Sequence, residues 1–251
     1  MDRRSKFAFC LLVCSAVLTL TARTVRAQEQ APAGQPRPAP NRSIVLLDPG
    51  HGGTDPGADL GNKVAEKDVT FALATKLRGA LTAQGFAVVL TRDTGSTEAL
   101  TAEQRAVTAN RSHPMACISL HATRSGSGVH VYTSALPVVS EPPEPELLLT
   151  RWETAQESFV AQSLQFAAAV KTSLGTAGLS ATTSTATVPP LDSMTCPAVA
   201  IEFSPLNTLE SADKGIDDAR YQDSAVRGMV AALVKWRTDT TPPPAPAKGT
   251  P

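Results

Sequence analysis

The chain has 251 residues, and 42% of them are hydrophobic, a share that is typical of globular proteins and too high for overall disorder. Its 23 basic and 23 acidic groups balance, but residues 1–27 hold five of the bases and one of the acids, so the remainder carries a formal charge of −4. An acidic chain without a basic run argues against nucleic acid as a partner.

The N-terminus has the order of a secretory signal peptide, with a basic start up to Lys6, an apolar run at 7–20 and a small residue at Ala27. We expect cleavage after Ala27 and therefore a periplasmic or extracellular protein that keeps no stable membrane span. The apolar run of about 14 residues is short for a bilayer span of roughly 20. An uncleaved anchor is one alternative, and lipidation of Cys14 is another.

Composition divides the rest of the chain into three segments. Residues 28–42 are rich in Ala, Pro and Gln, which is typical of a flexible linker, and 238–251 contain Pro-Pro-Pro-Ala-Pro-Ala, which indicates a disordered tail. The intervening residues, 43–237, are sufficient for one domain with a sizeable core.

The folded part alternates between short apolar runs, which predict buried strands, and segments with apolar residues at helical spacing. Glycines at 85 and 175 are expected to end two helices, and Thr101 and Gln104 have the spacing of a capping box that begins another. In chain order we predict a strand at 44–47, a helix at 66–84, a strand at 86–91, a helix at 101–111, strands at 115–120 and 129–132, a helix at 153–174, a strand at 198–203 and a helix at 217–236.

This alternation indicates an α/β fold, with a single domain, a largely parallel central sheet and helices on both of its faces. In such sheets ligands bind beyond the carboxyl ends of the strands, and we therefore expect the active site there. Two cysteines remain after signal cleavage, Cys117 and Cys196, both in apolar segments. A disulfide between them and two buried free thiols are both compatible with an exported chain.

Four side chains at or near the ends of predicted elements suggest metal chemistry. His51 follows the first strand in Asp-Pro-Gly-His-Gly-Gly, Glu66 begins the first helix, and His121 follows the third strand. Two histidines and one carboxylate are the ligand set of a catalytic zinc that keeps a fourth position open. Glu202 lies within an apolar strand, where a charge is costly unless it is paired or functional, and it is a candidate general base.

Taken one at a time, these side chains have structural interpretations as a turn histidine, a first-turn acid favoured by the helix dipole, a core histidine and a paired strand carboxylate. Their joint position at one predicted edge of the sheet favours the metal-site interpretation. We interpret His113 and His130 as non-ligands, and we expect Arg92 to pair with a core carboxylate.

The chain resembles the zinc-dependent N-acetylmuramoyl-L-alanine amidases, a family of cell-wall hydrolases. The resemblance implies that His51, Glu66 and His121 hold Zn²⁺ and that Glu202 is the catalytic carboxylate. It also implies the substrate, which is the peptidoglycan amide bond between N-acetylmuramic acid and L-alanine. The matching stretches occur in the family's order at 44–59, 66–68, 88–93, 105 with 110, 118–122 and 197–203.

Two stretches depart from the family's pattern. After Glu202 the chain continues Phe-Ser-Pro-Leu-Asn, which keeps an asparagine at Asn207 but lacks the usual Gly-Phe turn. Residues 134–154 are rich in Pro and Glu and follow the predicted strand at 129–132, where some relatives carry an inserted regulatory element. A lid that covers the zinc until a protein activator moves it and a solvated loop are the two interpretations of this segment.

Two other functions compete with the amidase: a peptidoglycan-binding protein that has lost turnover and a zinc peptidase that cuts within the stem peptide. All four site residues are present, which favours a hydrolase over a binding protein. We further expect a monomer. Because no separate wall-binding module is visible, substrate capture would depend on the catalytic domain or on a protein partner.

Overall fold

The structure, a computed structural model, describes residues 43–139, 151–206 and 214–240 of the chain. The interpretation of 134–154 as a lid or a loop therefore stays a prediction. The predictions that lie outside the described residues concern the signal peptide (1–27), the linker (28–42), residues 140–150 of the Pro- and Glu-rich segment, Asn207 and most of the predicted tail (241–251).

The described residues form one six-stranded sheet. Its strands are β1 (Ile44–Pro49), β2 (Ala87–Leu90), β3 (Ala116–Ala122), β4 (Val129–Ser134), β5 (Ala181–Ala186) and β6 (Ala198–Phe203). Their order across the sheet is β2-β1-β3-β6-β4-β5, and the first four in this order pair in parallel. Strand β4 is antiparallel to β6 and parallel to β5. The predicted largely parallel sheet is thus confirmed, and the carboxyl ends of β1, β3 and β6 meet at one edge.

Helices pack on both faces of this sheet, as predicted. The α-helices of the described residues are α1 (Glu66–Ala83), α2 (Ala102–Ser112), α3 (Val160–Thr176) and α4 (Ala219–Thr240). Helices α1, α3 and α4 share one hydrophobic core with one face, whereas α2 and the short 3-10 helix Leu191–Ser193 pack on the other. Among the described helices, none combines the length and the hydrophobicity that crossing a membrane requires.

Helix α1 was predicted from the spacing of its apolar residues, and the structure confirms it. Its predicted stripe is buried in the core at Val69, Leu73, Leu77 and Leu81, where each leucine contributes on the order of 2 kcal/mol of apolar burial. The helix ends before Gly85, which has a φ of +81° that suits glycine. This packing fixes α1 against the sheet and brings its N-terminus to the edge where β1 and β3 end.

Strand β5 was not predicted from the sequence. Its residues, Ala-Thr-Thr-Ser-Thr-Ala, are mostly polar, and the central four are exposed at the edge of the sheet. A polar edge strand lacks the apolar run or the alternation that marks a half-buried strand. The prediction therefore missed the outermost strand on the β4 side.

The predicted helix at 153–174 is instead two segments. A 3-10 helix at Trp152–Phe159 contains non-helical backbone at Thr154, and α3 begins only at Val160. Gly175 lies inside α3, and Gly178, with a φ of +87°, follows the end of the helix. Helix α4 likewise continues to Thr240, beyond the end predicted at residue 236.

Cys117 and Cys196 form a disulfide, which decides between the two alternatives that the sequence left open. Their Cα atoms are 6.2 Å apart, and both side chains are buried. Cys117 lies in β3, and Cys196 comes two residues before β6 begins. The bond therefore ties together the two strands that carry His121 and Glu202.

Candidate metal centre

Three side chains converge at the carboxyl edge of the sheet. Nε2 of His51 lies 3.1 Å from one carboxylate oxygen of Glu66, and Nδ1 of His121 lies 3.0 Å from the other. One ligand atom from each residue lies within 4.8 Å of the other two. The residues come from the loop after β1, the first turn of α1 and the end of β3, so the fold assembles the trio that the sequence singled out.

Glycine at two positions permits this close approach. A Cβ atom at Gly50 would lie 2.5 Å from Cε1 of the His121 ring. At Gly57, whose φ is +67°, it would lie 2.6 Å from Cδ2 of His51 and 2.8 Å from a carboxylate oxygen of Glu66. Any larger residue at either position would displace a candidate ligand.

Asp55 orients the ring of His51. Its carboxylate lies 2.8 Å from Nδ1 of His51 and accepts a hydrogen bond of 3.0 Å from the amide of Gly57. That amide, and then the histidine, hold the pKa of Asp55 below its usual range. Metal-binding histidines commonly have such a partner on their second ring nitrogen, and it leaves Nε2 directed at Glu66.

The carboxylate of Glu66 is held in its ionised form. Burial in itself raises its pKa, but hydrogen bonds from both histidines and from the amides of Ala58 and Ala122, at 2.9 and 3.0 Å, outweigh burial and hold the pKa well below its usual range. The hydrogen bond with Glu66 is in turn the largest effect that raises the pKa of His51 from 6.5 to about 9. A divalent metal requires deprotonated ligands, so Glu66 is already in the required form, whereas a metal would have to displace the proton of His51.

Behind His121 lies a buried polar network. The Ser119 hydroxyl is 3.4 Å from Nε2 of His121 and donates a hydrogen bond of 3.0 Å to Asp48, which is 1% exposed. Asp48 forms an ion pair with Arg105 at 2.6 Å. Because the serine proton goes to Asp48, its oxygen can accept a proton from Nε2 of His121. In that tautomer Nδ1, which donates to Glu66 in the metal-free chain, would be free to bind a cation.

Arg92 does not have the role predicted for it. It donates hydrogen bonds to the carbonyls of Pro49, Gly50 and Lys67, whereas the arginine that pairs with a buried carboxylate is Arg105. Both arginines therefore hold the backbone around His51, since Arg105 also donates to the His51 carbonyl at 2.8 Å.

Several supporting residues of the centre were not identified as site residues from the sequence. Asp48 and Asp55 lie on either side of His51 within the stretch that resembles the family. This position in the sequence could have identified them as supporting residues. Ser119 had a similar signal, because it lies two residues before His121 on the same face of a strand. The members of this group are Asp48, Asp55, Arg105 and Ser119.

Glu202 lies beside the trio and is not part of it. It is the direct neighbour of His121 in the pairing of β3 with β6, so both side chains project from the same face of the sheet. Glu202 is partly buried. Within the described residues, the cluster of candidate ligands comprises His51, Glu66 and His121 alone. Of the other histidines, His113 follows α2 and His130 lies in β4.

Comparison with known proteins identifies a sequence family. The sequence profile of the N-acetylmuramoyl-L-alanine amidase family Amidase_3 matches residues 45–235. A sporulation-specific N-acetylmuramoyl-L-alanine amidase from Bacillus subtilis (strain 168) is 29% identical over 189 residues, which are 75% of this chain and 66% of the relative. A germination-specific N-acetylmuramoyl-L-alanine amidase from the same organism is 52% identical over 50 residues, 20% of this chain and 21% of that relative.

The chain thus spans at most 66% of the length of these two relatives. Among solved structures, the catalytic domain of CwlV, an N-acetylmuramoyl-L-alanine amidase from Bacillus (Paenibacillus) polymyxa var. colistinus, is similar with a TM-score of 0.58. The sequence identity is 24%, and the match covers 79% of this chain and 99% of that one. At this identity, the structural similarity shows a shared fold.

Proposed function

The chain belongs to the N-acetylmuramoyl-L-alanine amidase family, and we propose that it hydrolyses the amide bond between N-acetylmuramic acid and L-alanine in peptidoglycan. The observation that carries this proposal is the convergence of His51, Glu66 and His121 at the carboxyl edge of the sheet. Three ligands drawn from distant parts of the chain, with their hydrogen-bonding partners, are difficult to explain by packing alone.

Zn²⁺ is the cation that this donor set fits. Two imidazole nitrogens and one carboxylate oxygen are a ligand set of catalytic zinc sites, in which a fourth position stays open for water or substrate. When bound, zinc would lower the pKa of a water molecule toward about 7 and polarise the carbonyl of the substrate. His51 and His121 would each bind through the nitrogen that faces Glu66, because Asp55 and Ser119 occupy the other side of each ring.

Glu202 is the proposed general base. Its position next to His121 on the same sheet face lets its carboxylate take a proton from the attacking water and later deliver it to the alanine nitrogen that leaves. Because water is the nucleophile, the reaction needs no covalent intermediate. Neither Cys117 nor Cys196 offers a free thiol as an alternative nucleophile, since both are buried and joined in a disulfide.

We further propose that the protein acts outside the cytoplasm, in the periplasm or beyond the cell. The order of residues 1–27 supports this location. The disulfide also supports it, because such bonds persist mainly in oxidising compartments.

A digest of muropeptides by the purified, processed chain tests the proposal. We expect bound zinc near one equivalent, release of a peptide with N-terminal alanine, and an intact glycan. A chelator should abolish the release, and added zinc should restore it. Cleavage inside the stem peptide would identify a peptidase instead, and binding without any cleavage would identify a wall-binding protein.

A further inference from the structure

The face of the sheet that carries the catalytic edge continues beyond Glu202. Direct cross-strand partners place His121, Glu202, His130 and Thr182 in one row across β3, β6, β4 and β5. Direct partners on neighbouring strands project to the same side, with Cβ atoms roughly 4.5–5.5 Å apart in an antiparallel pair. His130 is therefore the neighbour of Glu202 on the side away from the candidate metal ligands.

This part of the face is accessible, and its side chains are already held in place. His130 and Tyr132 are partly buried, whereas Thr182 and Ser184 on the edge strand are exposed. Nδ1 of His130 lies 3.1 Å from the Thr182 hydroxyl. The ring also stacks on Tyr132, with 6.4 Å between centroids and an angle of 24° between planes. A ring restrained on two sides loses little freedom when it binds a ligand.

The second nitrogen of His130, Nε2, lies close to Gly126. A Cβ atom at Gly126, whose φ is +81°, would lie 4.0 Å from Nε2 of His130 and 3.1 Å from the Ser204 hydroxyl. If the Thr182 hydroxyl donates to Nδ1, then Nε2 carries the ring proton and is a donor. An acceptor at Nε2, such as a carboxylate, would select that arrangement.

The proposed reaction gives the substrate a direction across this row, and the inference rests on that proposed function. The scissile carbonyl must lie at the trio of candidate ligands, and the leaving nitrogen must lie against Glu202, which protonates it. The peptide that follows this nitrogen then extends away from the trio, over β6 toward β4 and β5. Along the row of cross-strand partners, His130 is the residue that follows Glu202 in this direction.

We propose that His130, positioned by Thr182 and Tyr132, binds the carboxylate of the acidic residue that follows L-alanine in the stem peptide. The ligand class is therefore an acidic peptide, and the contact is a hydrogen bond from the imidazole to its carboxylate. A hydrogen bond to a charged group contributes enough to alter KM by about 10-fold. Because Glu202 performs the proton transfer, His130 acts on binding and leaves kcat largely unchanged.

The test compares two muramoyl dipeptides whose second residue carries either a free or an amidated carboxyl group. The zinc-loaded wild-type chain should show a KM about 10-fold lower for the free acid. His130→Ala should raise that KM to the value for the amide, with kcat within about twofold, and His130→Gln should restore part of the preference through its amide donor. His113→Asn, a change at an exposed histidine after α2, is the matched control and should keep the wild-type values.

A binding measurement separates this inference from the proposed function. The free dipeptide of L-alanine and the acidic residue is titrated calorimetrically into the zinc-loaded chain, a readout that needs no turnover. His130→Ala and amidation of the peptide should each weaken binding by about 10-fold, with zinc content and Tm unchanged. Equal binding by wild type and His130→Ala overturns the inference even if hydrolysis is normal, whereas peptide binding without hydrolysis overturns only the amidase proposal.

Discussion

Asp48 and Ser119 are direct neighbours on β1 and β3, and their side chains meet at 3.0 Å behind the candidate metal centre. The same serine hydroxyl reaches Nε2 of His121, so a buried carboxylate is connected to a candidate ligand through one side chain. The orientation of this ligand therefore depends on a polar network in the interior as well as on its own strand.

Ser119→Ala tests whether this connection matters for the metal. The change removes one hydroxyl group on a buried strand, and we expect zinc affinity to fall about 10-fold, because contacts to the far side of a metal ligand fix its orientation. Competition with a fluorescent chelator measures the affinity. Ser184→Ala, at an exposed position of β5, is the matched control and should bind zinc as tightly as the wild type. Equal affinity for the two variants would show that the backbone alone orients His121.

Asp48→Asn addresses the stability of the same network. The change leaves the Arg105 guanidinium, whose side chain is 8% exposed, without its ionic partner. We expect a loss of about 3 kcal/mol in the free energy of unfolding, near the lower end for a broken buried pair, because two carbonyls still accept from this arginine. Urea unfolding measures the change. Asp223→Asn, which breaks the exposed pair with Lys76, should alter stability by less than about 0.5 kcal/mol.

Glu202→Ala separates chemistry from metal binding. Since Glu202 lies beside the trio rather than in it, the variant should retain about one equivalent of zinc while its hydrolysis falls by at least about 100-fold. Metal analysis and product release from muropeptides measure the two effects. Glu103→Ala, at an exposed acid of α2, should change neither. Turnover near the wild-type rate would remove Glu202 from the mechanism.

The parts of the site that the sequence predicted depend on local pattern or on a motif. Helix α1 was located by its buried stripe, and the strand–glycine segment before His51 placed that residue at an edge of the sheet. The Asp48–Arg105 pair escaped prediction because its members are 57 residues apart and the choice between two arginines depends on packing. The same applies to β5, whose pairing with β4 is visible only in three dimensions.

The disulfide is expected to stabilise the pair of strands that carries His121 and Glu202. Its two cysteines are 79 residues apart, and closing a loop of that length in the unfolded chain corresponds to about 4.5 kcal/mol in the chain-entropy model. The double variant Cys117→Ala, Cys196→Ala should therefore unfold at a lower urea concentration than the wild type. Its free energy of unfolding should be lower by about that amount. Wild-type chain unfolded with a reductant present is the control and should approach the double variant. Coincident curves for the oxidised chain and the double variant would contradict a stabilising role.

His51 should make the stability of the metal-free chain depend on pH. Its pKa is raised from 6.5 to about 9, chiefly by the hydrogen bond with Glu66, so folding favours the protonated ring. The stabilisation is complete below pH 6.5, decreases as the pH rises, and is lost above about pH 9. Urea unfolding of the chelator-treated chain, repeated at about four pH values between pH 6 and pH 10, measures this loss.

His51→Asn is the informative variant for this effect, because asparagine tolerates the φ of +59° that His51 adopts. Without the imidazole, the decrease in stability between pH 6.5 and about 9 should disappear. Zinc competes with the same proton, so its affinity for the wild-type chain should increase with pH over this interval, and binding should release a proton that calorimetry in two buffers can count. A wild-type chain whose metal-free stability is constant over the interval would show that Glu66 and His51 do not share a proton in the absence of metal.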